Sequence, residues 1–221
     1  MPRAQVVLRP ASLLGVFDSF NRTDTTGPLG NADTGQLWQA YSGVWGISGN
    51  RGYRSSGSGQ DFASLNSLIW SGTADADVTI PATGEAGLVI RHNGLLGASG
   101  SWLFVTASNL TGLVQVTKYN VGVFDSTVAS VSYAWGTDVT RHLKVVFLGS
   151  TVEVSIDGVV VISVTAAYYQ TNGWHGLTSN SNSAFFNDFR VVEGGRILGL
   201  PDTGGGPRFH TPTNSAWLGI I

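Results

Sequence analysis

The sequence lacks cysteine, which excludes disulfide bonds and thiolate metal sites. It has only three glutamates and two lysines in 221 residues, although these residue types build the solvent-facing sides of helices. Their scarcity excludes a helical bundle and a doubly wound α/β fold. The sequence also lacks any apolar run of about 18 residues and any basic cluster, so it predicts no membrane span and no nucleic-acid surface.

What the sequence does have is glycine, with 30 residues, among many Val, Thr and aromatic residues. This mixture favours short strands joined by tight turns. The clearest case is 143–164, where Gly149-Ser150 and Asp157-Gly158 separate three apolar runs. Both dipeptides are typical of two-residue hairpin turns. Apolar and polar residues alternate in the middle run, 151–156, so we predict a three-stranded antiparallel meander with one buried face.

Similar short runs recur along most of the chain. We predict a hairpin around Gly49-Asn50, with strands at 44–47 and 51–54. Further strands are predicted at 62–71, 75–80, 86–92, 101–107, 112–119, 122–132, 173–178 and 184–192. About a dozen short strands without a helix predict an all-β, antiparallel two-sheet sandwich over residues 16–192.

The two ends of the chain do not follow this pattern. Residues 1–15 are apolar, contain two prolines and have no clear period, so we predict an N-terminal arm. Residues 193–221 begin with a Gly/Pro-rich connector and end with apolar residues. Exposing such a tail to water is unfavourable, so we predict an arm that docks on another chain, with folding back onto its own sandwich as the alternative. The predicted docking residues are Phe209, Trp217, Leu218, Ile220 and Ile221.

Four segments carry a resemblance to a known family. Residues 17–22 look like an opening strand, 87–91 like a mid-sheet strand, 142–158 like a meander and 185–191 like a closing strand. Their order resembles the concanavalin A-like lectin/glucanase (laminin-G-like) jelly roll. The resemblance implies a jelly-roll sandwich whose closing strand pairs near the opening strand. It does not imply one function, because this fold serves lectins, hydrolases and structural proteins.

The resemblance also indicates a candidate carbohydrate-binding site. It places Arg91, Trp102 and Tyr119 on strands of the concave sheet, and Trp135, next to Gly136, on a rim loop. Aromatic rings stack on pyranose faces, and arginine supplies directional hydrogen bonds. We therefore predict sugar binding by these four residues, with packing of the tryptophans in the core as the alternative.

A calcium site is implied where the opening and closing strands meet in the family. Asp18 and Asp188 stand at the matching positions, and Ca²⁺ favours carboxylate and carbonyl oxygens. Position 187 is asparagine where the family often has a second acid. Turn capping, or pairing with Arg22 or Arg190, is the alternative for both aspartates. No other cofactor is predicted.

Catalytic patterns are missing from the sequence. Glycoside hydrolysis requires two carboxylates that flank the scissile bond, and hydrolytic members of the family carry a Glu-x-Asp-x-x-Glu type of strand. Glu85, Glu153 and Glu193 match no such strand. The four histidines show neither zinc-site spacing nor a Gly-x-Ser-x-Gly elbow. We therefore predict a protein that is not an enzyme.

Apolar arms and low Lys and Glu content are typical of subunits that pack against their neighbours. We therefore predict a structural protein of a bacteriophage virion, a minor tail or decoration protein that contacts other virion proteins and copies of itself. Its assembly in the host cytoplasm agrees with Arg9 and Pro10, which interrupt the pattern of a signal peptide. The lectin-like domain would adhere to a host-surface glycan. The alternatives are a stand-alone carbohydrate-binding module and, less favoured, a glycoside hydrolase.

Overall fold

A computed structural model describes residues 15–95 and 99–194, and within them the chain forms fifteen strands and no α-helix. The strands are β1 (Gly15–Asp18), β2 (Gln39–Ala40), β3 (Val44–Ile47), β4 (Gly52–Ser56), β5 (Asp61–Asn66), β6 (Gly72–Thr79), β7 (Glu85–His92), β8 (Trp102–Ser108), β9 (Leu113–Asn120), β10 (Val123–Ser132), β11 (Thr140–Leu148), β12 (Thr151–Ile156), β13 (Val159–Thr165), β14 (Trp174–Ser179) and β15 (Phe185–Glu193). Over the same residues, no helix is long and apolar enough to cross a membrane.

The strands form two antiparallel sheets. The back sheet has the order β13-β12-β11-β6-β15-β4-β3, with β1 also paired to β15. The front sheet has the order β10-β9-β8-β7-β14-β5-β2. The predicted fold class, an all-β two-sheet antiparallel sandwich, is confirmed. The predicted docking residues of the C-terminal arm, and nearly all of both arms, lie outside the described residues.

The core lies between the two sheets and is built from alternate residues of each strand. Ala76 and Val78 of the back sheet and Leu88, Ile90 and Leu103 of the front sheet are fully buried in one cluster. Burying a side chain of the size of Val or Leu contributes about 1.5–3 kcal/mol. Because side chains alternate, the residues between these positions on the front strands point to the outer face of the front sheet.

The predicted meander is confirmed as β11–β12–β13. The conformation of its turns explains why it forms. Asp157 and Gly158 both have positive φ, at 51° and 81°, as the twist of a two-residue hairpin requires. The closing strand pairs with the opening strand, with Phe189 opposite Asp18, as the resemblance implied.

The strand predicted at 62–71 is too long, because the observed strand ends at Asn66. Leu68 adopts a left-handed φ of 59°, and its backbone N–H donates a hydrogen bond to Asn66 Oδ1 at 3.2 Å. This local hydrogen bond turns the chain out of the front sheet, because asparagine side chains compete with the strand ladder for backbone groups.

Candidate ligand-binding face

A second apolar cluster, separate from the core, lies on the outer face of the front sheet. Strand register builds it, because Trp102 lies opposite Tyr119, and Phe104 lies opposite Val89. Side chains that face each other across neighbouring strands contact one another. The cluster consists of Phe62, Val89, Trp102 and Phe104, with Tyr41 and Tyr119 packed against it.

The aromatic rings of this cluster form two stacked pairs. Trp102 stacks on Tyr119 with ring centroids 5.2 Å apart and planes 10° apart. Tyr41 stacks on Phe62 at 5.2 Å and 2°. The pairs meet where Phe62 and Trp102 lie 4.8 Å apart. Between them is a pocket of about 200 Å³, here called the aromatic pocket. Its lining residues are Tyr41, Ser42, Gln60, Phe62, Trp102, Phe104, Tyr119 and Gly122.

One of the residues that line this pocket carries a buried, unpaired hydrogen-bond donor. Trp102 is only 6% exposed, and its buried Nε1–H has no hydrogen-bond partner among the described residues. A buried donor without a partner costs about 1–3 kcal/mol. Burial raises the pKa of the Tyr119 and Tyr41 hydroxyls, so both groups stay protonated at neutral pH. The lining contains no charged side chain, and the pocket therefore suits a neutral ligand with hydrogen-bond acceptors.

His92 supports the pocket from the side. Its Nε2–H donates to the Leu95 carbonyl at 3.0 Å, so Nδ1 accepts a hydrogen bond from the Ser64 hydroxyl at 3.0 Å. The imidazole meets the Tyr41 ring edge-on, with centroids 4.3 Å apart. Burial lowers the pKa of His92 to about 4. His92 is therefore a neutral part of the scaffold at physiological pH.

Glu85 is a carboxylate on the same outer face, because it alternates with the core residue Ala86 on β7. Burial raises its pKa, and the Thr106 hydroxyl opposes this shift. The other acids on described front-sheet strands have partners: Asp61 lies 3.0 Å from Arg54 Nε, and Asp125 lies 2.7 Å from Lys118 Nζ. Glu85 therefore has no second free carboxylate beside it on the described strands of this sheet.

Of the four predicted sugar-binding residues, the structure brings two together. Trp102 and Tyr119 form one wall of the aromatic pocket. Arg91 is fully buried, and its guanidinium donates to the carbonyls of Gly149, Ala166 and Tyr168.

Trp135 does not lie on a rim either. It is 1% exposed in the core, and its Nε1 donates to the Val139 carbonyl at 3.1 Å. Arg91 and Trp135 are therefore structural residues, held by contacts that leave no surface for a sugar.

Sequence reasoning missed Tyr41, Phe62 and Phe104. Phe104 could have been found, because it lies two residues from Trp102 and side chains repeat with period two along a strand. Phe62 begins a predicted strand, but only the pairing order of the front sheet brings it to Trp102. No local pattern singles out Tyr41, which follows the two-residue strand β2.

The residues of the predicted calcium site do not fit a metal ion. Asp18 is fully buried, and its carboxylate accepts two hydrogen bonds from Arg22, at 2.6 and 2.9 Å, and one from Trp38 Nε1 at 2.6 Å. Cationic and N–H donors thus occupy the oxygens that Ca²⁺ would need. Asp188 is exposed beside Asn187. Residues 15–95 and 99–194 contain no group of three or more His, Cys, Asp or Glu residues that could hold a metal.

The chain is a jelly-roll β-sandwich, as comparison with solved structures shows, although no family model and no curated protein matches it. It is similar to the carbohydrate-binding module CBM66 from Bacillus subtilis, with 17% identity and a TM-score of 0.52 over 71% of this chain and 91% of that one. A Bacillus subtilis protein of unknown function with a galectin-like fold has 14% identity and a TM-score of 0.56, over 71% and 89%. Bacillus licheniformis β-glucanase has 14% identity and a TM-score of 0.55, over 81% and 98%. These likenesses define the fold.

Proposed function

We propose that this protein is a lectin-like protein, not an enzyme, and that it binds a neutral carbohydrate in the aromatic pocket. The observation that carries the proposal is an uncharged pocket walled by two pairs of stacked aromatic rings, with the hydroxyl-bearing residues Ser42 and Tyr119 in its lining. A pyranose offers an apolar face to such rings and hydroxyl oxygens to such hydroxyl groups. The likeness in fold to a carbohydrate-binding module supports the proposal.

Binding without cleavage follows from the arrangement of carboxylates. Cleavage of a glycosidic bond uses a pair of carboxyl groups about 5–10 Å apart. On the described strands of the front sheet, Glu85 stands alone, since Asp61 and Asp125 are engaged with Arg54 and Lys118. The fold is shared with a β-glucanase, but the paired carboxylates that this chemistry needs do not converge on the described part of the face.

The first prediction compares two half-buried tyrosines on opposite faces of the sandwich. Tyr119→Ala removes the ring stacked on Trp102, and Tyr53→Ala removes a ring that lies 6.0 Å from Phe185 on the back sheet. On an array of neutral glycans at millimolar concentration, we expect the wild type to bind at least one glycan. Tyr119→Ala should weaken that binding by about tenfold through lost stacking, and Tyr53→Ala should leave it unchanged. Failure of the wild type to bind any glycan, or equal loss in both variants, would refute the proposal.

We also propose that the protein serves in a bacteriophage virion, as a minor tail or decoration protein whose ligand is a host-surface glycan. The composition of residues 1–15 and 193–221 supports this role. Exposed apolar side chains on the sandwich add support: Val121, Val123 and Phe124 at the β9–β10 hairpin, and Val159 and Val160 on β13. Clusters of this kind on a protein surface mark contacts with other proteins.

The second prediction tests this assembly role. Deleting residues 196–221 should convert an oligomer into a monomer, because it removes the predicted docking residues, and should leave glycan binding intact, because the aromatic pocket lies in the sandwich. Light scattering of the purified full-length and truncated chains measures the mass. A full-length chain that is already monomeric, or an oligomer that survives the deletion, would contradict docking through this arm.

A further inference from the structure

A second pocket lies at the same end of the front sheet as Trp102. It has a volume of about 210 Å³, and its wall includes Asn66, Trp70, Asn172 and Trp174; we call it the amide pocket. Trp70 is 58% exposed. A tryptophan ring beside open amide groups can stack on an apolar face while the amides bind polar groups around it.

Two of the three asparagines that line the amide pocket, Asn66 and Asn172, each make one side-chain hydrogen bond, which fixes their orientation. Asn66 Oδ1 accepts from the Leu68 N–H at 3.2 Å, and its Nδ2 has no hydrogen-bond partner in the described chain. Asn172 Nδ2 donates to the Arg91 carbonyl at 3.2 Å, and its Oδ1 is likewise free within residues 15–95 and 99–194. Asn66 and Asn172 thus offer one donor group and one acceptor, and a hydroxyl group can satisfy either.

Trp70 is held in place by the chain beneath it. The Ser67 hydroxyl donates to the Gly173 carbonyl at 2.8 Å, which fixes the turn that leads to Trp70. A Cβ on Gly173 would lie 3.1 Å from Trp70 Cδ1, so the indole packs on bare glycine backbone. A platform that is fixed before binding loses less entropy when a ligand arrives.

The amide pocket and the aromatic pocket are separated by one ridge. Trp174 lines the amide pocket and Tyr41 lines the aromatic pocket, and their rings meet edge-on with centroids 6.2 Å apart. Gly94 joins the two residues: its carbonyl accepts from the Tyr41 hydroxyl at 3.2 Å, and its Cα packs beside the Trp174 indole. A ligand that leaves one pocket over this ridge enters the other.

We infer that the protein binds an extended neutral oligosaccharide, with one sugar in the aromatic pocket and a following sugar in the amide pocket against Trp70. This inference rests on the proposed carbohydrate-binding function and specifies its ligand. Each pocket combines an aromatic surface with hydrogen-bonding groups, and the shared ridge places them along one path. A single sugar would use only one of the two pockets.

The third prediction compares ligands of increasing length. Calorimetric titrations are made with neutral oligosaccharides of glucose, galactose, mannose and fructose that contain one to four residues. In any series that binds, the tetrasaccharide should bind at least about tenfold tighter than the monosaccharide. Trp70→Ala should weaken tetrasaccharide binding by about fivefold through lost stacking and leave monosaccharide binding unchanged. Leu110→Ala, an exposed apolar residue at the opposite end of β8, is the matched control and should change neither.

The outcomes separate the two proposals. Absence of binding at every length refutes the carbohydrate-binding function itself. Binding that is independent of length, or a length dependence that survives Trp70→Ala, overturns the extended ligand and leaves the single-site function standing. Thermal melting confirms that the variant is folded. Asn66→Ala, at an exposed position, is a second variant that should weaken only the longer ligands.

Discussion

At the scale of single residues, burial perturbs two polar side chains on the outer face of the front sheet. The Trp102 indole N–H is unpaired in the described chain, and burial raises the pKa of Glu85. Either feature costs folding free energy. The register sets Glu85 opposite Ser108, six residues along β8 from Trp102, so the two groups lie near opposite ends of this strand. Perturbed polar groups of this kind cluster at functional sites.

The fourth prediction concerns Glu85 and stability. Its raised pKa means that the folded state holds the proton more tightly than the unfolded state. The free energy of unfolding therefore falls as the pH rises through the Glu85 pKa. Glu85→Gln removes the ionisation, so we expect the variant to melt at a higher temperature than the wild type at pH 7. At pH 3 the Glu85 carboxyl is protonated in both the folded and the unfolded state, so the wild type and the variant should have the same melting temperature.

The melting comparison at pH 3 is the internal control for Glu85→Gln. A variant that melts at a lower temperature at pH 7 would show that the carboxylate makes a stabilising contact, contrary to the prediction. A difference of equal size at both pH values would show that packing of the amide, and not the charge, decides the outcome.

At the scale of elements, a bulge in β7 decides which side chains reach the ligand-binding face. Between Val89 and His92 this strand has one residue more than its partner β14, and Arg91 takes a positive φ of 52°. A bulge reverses the facing of the residues that follow it. Arg91 therefore points into the molecule, where it joins β7 to the turn at Gly149, and His92 points outward.

This bulge shows why the sequence predicts strands better than it predicts the site. Arg91 was a candidate for sugar binding because the resemblance places its strand in the concave sheet. Strict alternation would put Arg91 on the same face as Val89, and the bulge turns it inward instead. The turns at Gly149-Ser150 and Asp157-Gly158 are encoded locally, so the meander was predictable. A bulge depends on the register with a strand that is distant in sequence, and local composition does not determine it.

The aromatic pocket was only half predictable for a related reason. Trp102 and Tyr119 belong to consecutive strands, which pair in most antiparallel sheets. Tyr41 and Phe62 reach them only through the order β8-β7-β14-β5-β2, in which neighbours in space are distant in the chain. The sequence contains these aromatic residues but does not show that they meet.

At the scale of the whole molecule, the outer face of the back sheet and the aromatic pocket of the front sheet differ in charge. The outer face of the back sheet carries the ion pair of Asp75 with Arg190, at 3.1 Å, and a hydrogen bond between Asp77 and His142 at 2.8 Å. The aromatic pocket of the front sheet has no charged lining. Charged groups are costly to remove from water, whereas an uncharged aromatic pocket costs little to desolvate. This asymmetry favours the front sheet as the face that receives a neutral ligand.

The stability of the whole protein at acidic pH depends on two buried histidines. Burial lowers the pKa of His92 and of His175 to about 4, while an unfolded histidine titrates near 6.5. The unfolded state thus binds more protons between these values, and stability is complete above pH 6.5 and lost as the pH falls towards 4. Each group contributes on the order of 3 kcal/mol to that loss.

The fifth prediction is that both imidazoles titrate with midpoints near pH 4 in the folded protein. Proton NMR of each ring, followed from pH 7 to pH 3.5, measures the midpoints, and urea unfolding at pH 7, 5.5 and 4 measures the loss of stability. Glycan binding should weaken over the same range, because a charged His92 can no longer accept the Ser64 hydroxyl beside Tyr41. Midpoints near 6.5 would mean that water reaches both rings, and the aromatic pocket would then lack the dry, neutral support on which its affinity for a sugar depends.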